Sequence, residues 1–193
     1  MAAEKEYRNF NTEIRSDRES RTVEGYGVVF NSPSEDLGFT EYIHPEAINE
    51  ALILKSDVFA RFDHDPKKIL ARSKKGVGSL TLEVDEVGLK YRFEAPKTAL
   101  GDELLEYLQR GDISGSSFCF SMNPKDQTAE KWTNNDGQLR RDIYHIDRLY
   151  DVAPVFSPAY PATTCSNRYA EVRELVDRIN AEIDEIINEF NNI

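Results

Sequence analysis

The residues best suited to chemistry lie in a stretch of small and hydroxyl side chains, residues 111–120 (GDISGSSFCF). The stretch opens on a glycine that can end a helix, and it closes in an alternation typical of a β-strand. Phe118 and Phe120 then share one face of the strand, and Ser117 and Cys119 share the other. Aromatic side chains in a core would hold the backbone rigidly beneath an outward-facing hydroxyl. Such a serine could be a nucleophile, although strand serines that simply face water are common.

A serine nucleophile needs a base, and the sequence contains three histidines, His44, His64 and His145. His64 follows an apolar segment and lies between two aspartates, where it either faces a cleft or is simply part of a turn. His44 precedes a proline that suits a helix start, and His145 lies on a predicted strand. No histidines have zinc-site spacing and no glycine-rich phosphate loop or GxSxG motif is present. The sequence therefore predicts neither a metal nor another cofactor.

Composition narrows the class of protein. A length of 193 residues suits one domain with a substantial core. The net charge of −11 opposes binding to nucleic acid, whose phosphates favour clustered Lys and Arg. No apolar run approaches the roughly 20 residues of a membrane span, residues 1–10 lack the apolar core of a signal peptide, and two cysteines make no disulfide framework. We therefore expect a cytosolic protein with no nucleic-acid or membrane partner.

Hydrophobic periodicity predicts a mostly β domain. One predicted helix begins at Pro45, and another begins at Thr98 and stops at Gly111, so it leads directly into the serine stretch. A polar segment, residues 123–138, is predicted to be a loop or the tip of a hairpin. The predicted strands are residues 23–30, 58–62, 78–84, 89–93 and 141–156, the last interrupted at Pro154.

The character of the chain changes after residue 166. Apolar residues from Val172 to Ile193 recur at steps of three and four, which forms a helical seam near the coiled-coil period. The segment from Glu171 to Ile193 is strongly acidic. We therefore predict a domain over residues 1–166 and an acidic amphipathic helix over residues 167–193. Such a helix would associate with a partner or a second copy, or fold back on its own domain.

The chain resembles the prohead (capsid-maturation) proteases of tailed double-stranded-DNA phages, whose fold and triad are similar to those of the herpesvirus assemblins. Ser117 corresponds to the serine before Phe in the family's SxxSFxF pattern, and His64 to the catalytic histidine. Ser116 stands where the family usually has an apolar residue, and Cys119 where it usually has glycine. Strand alternation favours Ser117 over Ser116 as the attacking residue. The matching segments are Gly25-Tyr26 with Val29-Phe30-Asn31, residues 41–45, 63–65, 78–82 with 88–89, 111–120 and 155–161.

The resemblance implies acyl transfer in which His64 removes the Ser117 proton. Glu94 fits the acidic third position of the phage enzymes, although a carboxylate at a strand end could simply be exposed. The herpesvirus enzymes use a second histidine, which makes His145 the alternative. In the herpesvirus pattern an arginine pair near the site assists the oxyanion, for which Arg141, with its neighbour Arg140, and Arg148 are candidates.

The resemblance also implies a fold and a place of action. The expected fold is α+β and mostly β: a single domain with an antiparallel β-barrel surrounded by helices. The expected substrates are the scaffold, the scaffold-like segment of the major capsid protein and the protease itself, inside the immature capsid in the host cytoplasm. The alternative is a catalytically inactive phage structural or scaffold-associated protein with the same fold.

Overall fold

The computed structural model describes residues 4–10, 14–35, 37–135 and 137–156. The acidic helix predicted over residues 167–193 and the domain boundary before it lie outside the described residues. Strands predominate in the described part, with two short α-helices and one 3-10 turn, so the predicted mostly β class is confirmed. The strands are β1 Glu6–Phe10, β2 Arg15–Ser16, β3 Thr22–Val29, β4 Thr40–Ile43, β5 Asp57–Arg61, β6 Ile69–Lys74, β7 Val77–Gly78, β8 Leu80–Val84, β9 Gly88–Glu94, β10 Gly115–Ser121, β11 Glu130–Asn135, β12 Gln138–Ile143 and β13 Arg148–Val155.

These strands form three sheets. The largest has the order β1-β10-β13-β5-β6-β7, the second β2-β3-β9-β8 and the third β11-β12-β4. Neighbouring strands are antiparallel except for β13 with β5 and β12 with β4, which are parallel. The described residues thus give separate sheets packed on a common core, and no closed barrel of the expected kind is found among them.

The predicted helix from Pro45 is divided in two. Pro45–Ala47 forms a 3-10 turn, and α1 begins only at Glu50 and ends at Lys55. Asn49 lies between them in an extended conformation, and its side chain accepts a hydrogen bond from the Leu52 N–H. An asparagine in this position starts a new helix because it satisfies a backbone donor that has no partner within the helix.

The second helix, α2, spans Ala99–Arg110 and has the predicted ends. The Thr98 side chain accepts a hydrogen bond from the Gly101 N–H, and Gly111 ends the helix with a φ of 76°. That left-handed conformation costs glycine little because it has no Cβ. The chain then enters β10, as the sequence predicts.

The strand predicted over residues 141–156 is two strands, β12 and β13, separated at residues 144–147. Pro154 lies inside β13 and does not interrupt it. The pairing of β13 with β5 extends only to Val152, so no bond to β5 is lost where proline has no N–H. Part of the predicted polar loop forms β11, which pairs with β12 as a hairpin.

A buried cluster of charged side chains joins β1, β4, β11 and β12. Arg141 donates to Glu6 at 2.6 Å, to Glu41 at 2.8 Å and to Glu130 at 2.5 Å. Arg8 donates to Glu41 and Glu6 as well, both at 2.6 Å. Burial alone lowers the pKa of Arg141, but the carboxylates of Glu41 and Glu6 outweigh it and raise that pKa, so the guanidinium stays charged. These ion pairs connect β1 to the third sheet.

We expect Arg141→Met to lower the free energy of unfolding by about 3–5 kcal/mol, because it leaves buried carboxylates without their full complement of cations. Arg110→Met is the matched control. Arg110 contacts Asp112, and the two side chains are 61% and 38% exposed, so loss of this surface pair should cost less than about 1 kcal/mol. Urea denaturation of both variants measures the difference, and equal losses would contradict the structural role of the cluster.

Candidate active site

Strand β10 presents its alternate residues to two environments. Phe118 and Phe120 are buried and stacked, with ring centroids 4.8 Å apart. Ser116 shares their face and lies 2.8 Å from the Tyr91 hydroxyl, which makes it part of the core. Ser117 therefore faces the opposite side of the sheet, and its neighbours across the strands are Asn9 of β1 and Ala153 of β13. This is the alternation that the sequence predicts.

His64 lies in the turn between β5 and β6. Asp63 and His64 have φ values of 53° and 57°, in the left-handed region that costs a non-glycine residue about 1–3 kcal/mol. The turn is held by the Asp63 N–H, which donates to the Pro154 carbonyl, and by the Asp65 N–H, which donates to the Phe62 carbonyl, both at 3.1 Å. The strained turn brings the imidazole back over the large sheet, beside β10.

The imidazole joins two side chains that come from different strands. His64 Nε2 lies 2.5 Å from Ser117 Oγ, and His64 Nδ1 lies 2.5 Å from Asp151 Oδ1. The Asp151 side chain is 2% exposed. When Nδ1 carries the proton and donates it to Asp151, Nε2 has a free lone pair directed at the serine. This geometry suits general-base activation of a hydroxyl nucleophile.

Ser117 has a second hydrogen-bond acceptor within reach. Its hydroxyl donates to the Arg8 carbonyl oxygen at 2.9 Å, and the residue has no exposed surface. A hydroxyl has one proton, so it donates either to this carbonyl or to His64 Nε2. Nucleophilic attack requires the second arrangement, because only the imidazole can remove the proton.

The carboxylate at His64 Nδ1 belongs to Asp151 and not to the expected Glu94. Glu94 is exposed at the end of β9 in the four-stranded sheet, where it pairs with Thr22. His145, the alternative, is half exposed and contacts Asp126 at 3.1 Å. A signal for Asp151 does exist in the sequence, since it is the acidic residue inside the otherwise apolar run of β13. Its pairing with Cys119 places it on the face of Ser117.

The two arginine candidates lie elsewhere. Arg141 belongs to the buried charged cluster, where its guanidinium nitrogens are bonded to carboxylates. Arg148 pairs with Ser121 and has a side chain that is 69% exposed. Ser121 lies four residues along β10 from Ser117, a separation of about 13 Å in a strand. Neither arginine makes a hydrogen bond to the imidazole or to the serine hydroxyl in the described part of the chain.

Two further side chains border the imidazole. The Tyr7 ring lies edge-on to the His64 ring, with centroids 4.8 Å apart, and burial raises the pKa of its hydroxyl to about 12. Burial, followed by the charge of Asp151, raises the pKa of the Cys119 thiol to about 12 as well. The thiolate is the reactive form of cysteine, so Cys119 is not suited to be the nucleophile even though it shares a face with Ser117.

The described residues contain no group of three His, Cys, Asp or Glu side chains placed to hold a metal ion. Within the same residues, no helix is long and apolar enough to cross a membrane.

Comparison with known proteins identifies one family. The family described as Caudovirus prohead serine protease matches residues 8–177, a range that includes Ser117, His64 and Asp151. No curated protein and no solved structure matches the chain significantly. The family match covers far more than half of the 193 residues. The chain therefore belongs to the caudovirus prohead serine protease family.

Proposed function

We propose that this chain is an active serine endopeptidase that matures the phage prohead, with Ser117 as nucleophile, His64 as general base and Asp151 as the orienting acid. The observation that carries the proposal is the continuous hydrogen-bonded chain from Ser117 through His64 to Asp151. Membership of the prohead serine protease family implies a serine peptidase and a protein substrate in the capsid. The geometry adds to that membership a specific set of groups for the reaction.

In the first step His64 Nε2 takes the Ser117 proton while Oγ attacks the peptide carbonyl carbon, and the carbonyl π electrons move to oxygen. The imidazolium that forms is stabilised by Asp151 at Nδ1. When the tetrahedral intermediate collapses, the C–N bond breaks and His64 gives its proton to the leaving amine. Water then attacks the acyl-enzyme with the same base, which releases the acid and restores Ser117.

Substrate must reach a serine that is covered in this structure. A reacting carbonyl carbon must come within about 3–3.5 Å of Oγ, yet Ser117 has no exposed surface. The His64 side chain above it is 18% exposed, and Tyr7 borders that ring on β1. Under this proposal the side chains that cover Ser117 must therefore move before substrate can reach Oγ.

The proposed substrates are the scaffold, the scaffold-like segment of the major capsid protein and the protease chain itself, inside the prohead in the host cytoplasm. Family membership supports a protein substrate in the capsid context. For residues 167–193 we retain the proposal of an acidic amphipathic helix that contacts the scaffold or a second copy. Its support is the sequence pattern alone, since the segment lies outside the described residues.

The second candidate is an inactive member of the family that serves as a structural or scaffold-associated protein. Two observations favour it: Ser117 is completely buried, and its hydroxyl donates to the Arg8 carbonyl. The hydrogen bond between Ser117 and His64 favours an active enzyme, because an inactive structural protein would not require a base beside this serine. Loss of cleavage in the variants below separates the two functions.

We expect Ser117→Ala and His64→Ala each to abolish cleavage of co-expressed scaffold. Members of a triad act as a unit, so either loss should lower kcat by about 10⁶. Gel analysis of scaffold and of self-trimming gives the readout, and circular dichroism checks the fold. Ser116→Ala is the matched control, since that hydroxyl faces Tyr91 in the core. Cleavage that survives Ser117→Ala but is lost in Ser116→Ala would show that Ser116, and not Ser117, is the nucleophile.

We expect Asp151→Asn to lower kcat by about 10⁴, because the amide favours the tautomer with the proton on Nε2 and removes the charge that stabilises the imidazolium. Glu94→Gln is the control, and cleavage by this variant should match the wild type because Glu94 is exposed on another sheet. The same scaffold assay measures both. A large loss of cleavage in Glu94→Gln, with normal cleavage in Asp151→Asn, would show that Glu94 is the orienting acid.

A further inference from the structure

We propose that Arg61 is a positioning residue for the triad. Its guanidinium holds one carboxylate oxygen of Asp151 and so keeps the other on His64 Nδ1. This inference rests on the proposed function and deepens it, because it identifies Arg61 as the group that fixes the position of Asp151.

The placement of Arg61 follows from strand pairing. It is the last residue of β5, which runs parallel to β13 with Phe59 paired to Asp151. Residues two apart on a strand share a face, so Arg61 projects on the side that carries Asp151. Arg61 Nη1 lies 3.4 Å from Asp151 Oδ2, and Asp151 Oδ1 lies 2.5 Å from His64 Nδ1. The carboxylate thus bridges a guanidinium and the imidazole.

Asp151 depends on such a partner. An ionised carboxylate with a side chain only 2% exposed is unfavourable unless it is paired or hydrogen-bonded. The side chains that border it on β1 and β10 are Tyr7 and Cys119, and both are neutral near pH 7 because their pKa values are raised to about 12. In the described part of the chain, the ion pairs of Asp151 are with Arg61 and His64. Arg61 therefore supplies the permanent positive charge at this carboxylate.

The surroundings of Arg61 give a second, independent indication. Its Nε–H is buried and has no hydrogen-bond partner among the described residues. An unpaired buried donor costs about 1–3 kcal/mol, and native proteins keep few of them. The position of this guanidinium is therefore not explained by its own hydrogen bonding. The ion pair with Asp151 accounts for the position of the Arg61 guanidinium.

Arg72 provides a matched control because it shares the surroundings of Arg61 but not the contact. Both guanidinium groups lie over the Phe59 ring, Arg61 at 5.1 Å and Arg72 at 4.8 Å. Arg72, however, donates to Asp57 at 2.8 and 2.6 Å, at the far end of β5 from Arg61. A general effect of losing an arginine from this face would appear in both Arg61→Met and Arg72→Met. An effect that acts through Asp151 would appear only in Arg61→Met.

The experiment uses the full chain and four variants: Arg61→Met, Arg61→Gln, Arg61→Lys and Arg72→Met. The first readout is the rate constant for phosphonylation of the serine by a fluorophosphonate probe, in which Oγ bonds to phosphorus and fluoride leaves. The second is the low-field proton resonance of His64 Nδ1–H, which reports the hydrogen bond to Asp151 whether or not the protein cleaves peptides. Arg61→Gln replaces Arg61→Met if the methionine variant does not fold.

We expect Arg61→Met to slow phosphonylation between about 10- and 100-fold, the size of effect that a misplaced catalytic group produces, and to move or broaden the Nδ1–H resonance. Arg61→Lys should recover part of both, and Arg72→Met should leave both unchanged. An unmoved resonance in Arg61→Met and Arg61→Gln, or equal slowing in Arg72→Met, would overturn the proposal. If the probe does not phosphonylate the wild type, the proposed function fails, and the resonance alone decides the role of Arg61.

Discussion

The candidate site depends on the pairing of β10 with β1 on one side and β13 on the other. Ser117 lies opposite Asn9 and Ala153, and Cys119 lies opposite Asp151. Because paired residues share a face, this register places an acid from a distant part of the chain beside the serine. A shift of one residue in β13 would turn Asp151 into the opposite face and leave His64 without its partner.

Two other features keep the strands and the imidazole in that arrangement. The buried cluster of Arg8, Arg141, Glu6, Glu41 and Glu130 ties β1 to the third sheet, and the carbonyl of Arg8 reaches the Ser117 hydroxyl. The turn at Asp63 and His64 adopts left-handed backbone conformations that are unfavourable for these residues. The hydrogen bonds of His64 to Ser117 and Asp151 offset part of that strain, so the site and the turn stabilise each other.

Much of this arrangement could be predicted from local pattern. The alternation in β10 distinguishes Ser117 from Ser116, and the break after the apolar strand β5 marks the turn that carries His64. Both signals depend on residues close together in the sequence. The ends of α2 could be predicted for the same reason, since Thr98 and Gly111 act on their own neighbours.

The carboxylate that lies against His64 Nδ1 could not be predicted in this way. Asp151 is brought to His64 by a parallel pairing of β13 with β5, and no local pattern specifies which strands will be neighbours. Glu94 resembles the family's acidic position in sequence, but it ends β9 on another sheet. The division of the helix at Asn49 was missed because the apolar spacing continues across it, whereas capping by the Asn49 side chain determines where α1 starts. The position of Arg141 could not be predicted for a related reason, since its burial among the carboxylates of Glu6, Glu41 and Glu130 depends on three separate strands.

We expect the hydrogen-bonded chain at Ser117 to make this one serine reactive. Mass spectrometry of the folded chain after treatment with a fluorophosphonate probe tests it directly, because the adduct can be assigned to a single residue. We expect one adduct, on Ser117, that is absent after prior denaturation and in His64→Ala. An adduct on Ser116 or on a serine outside β10, or no adduct on the folded chain, would contradict it.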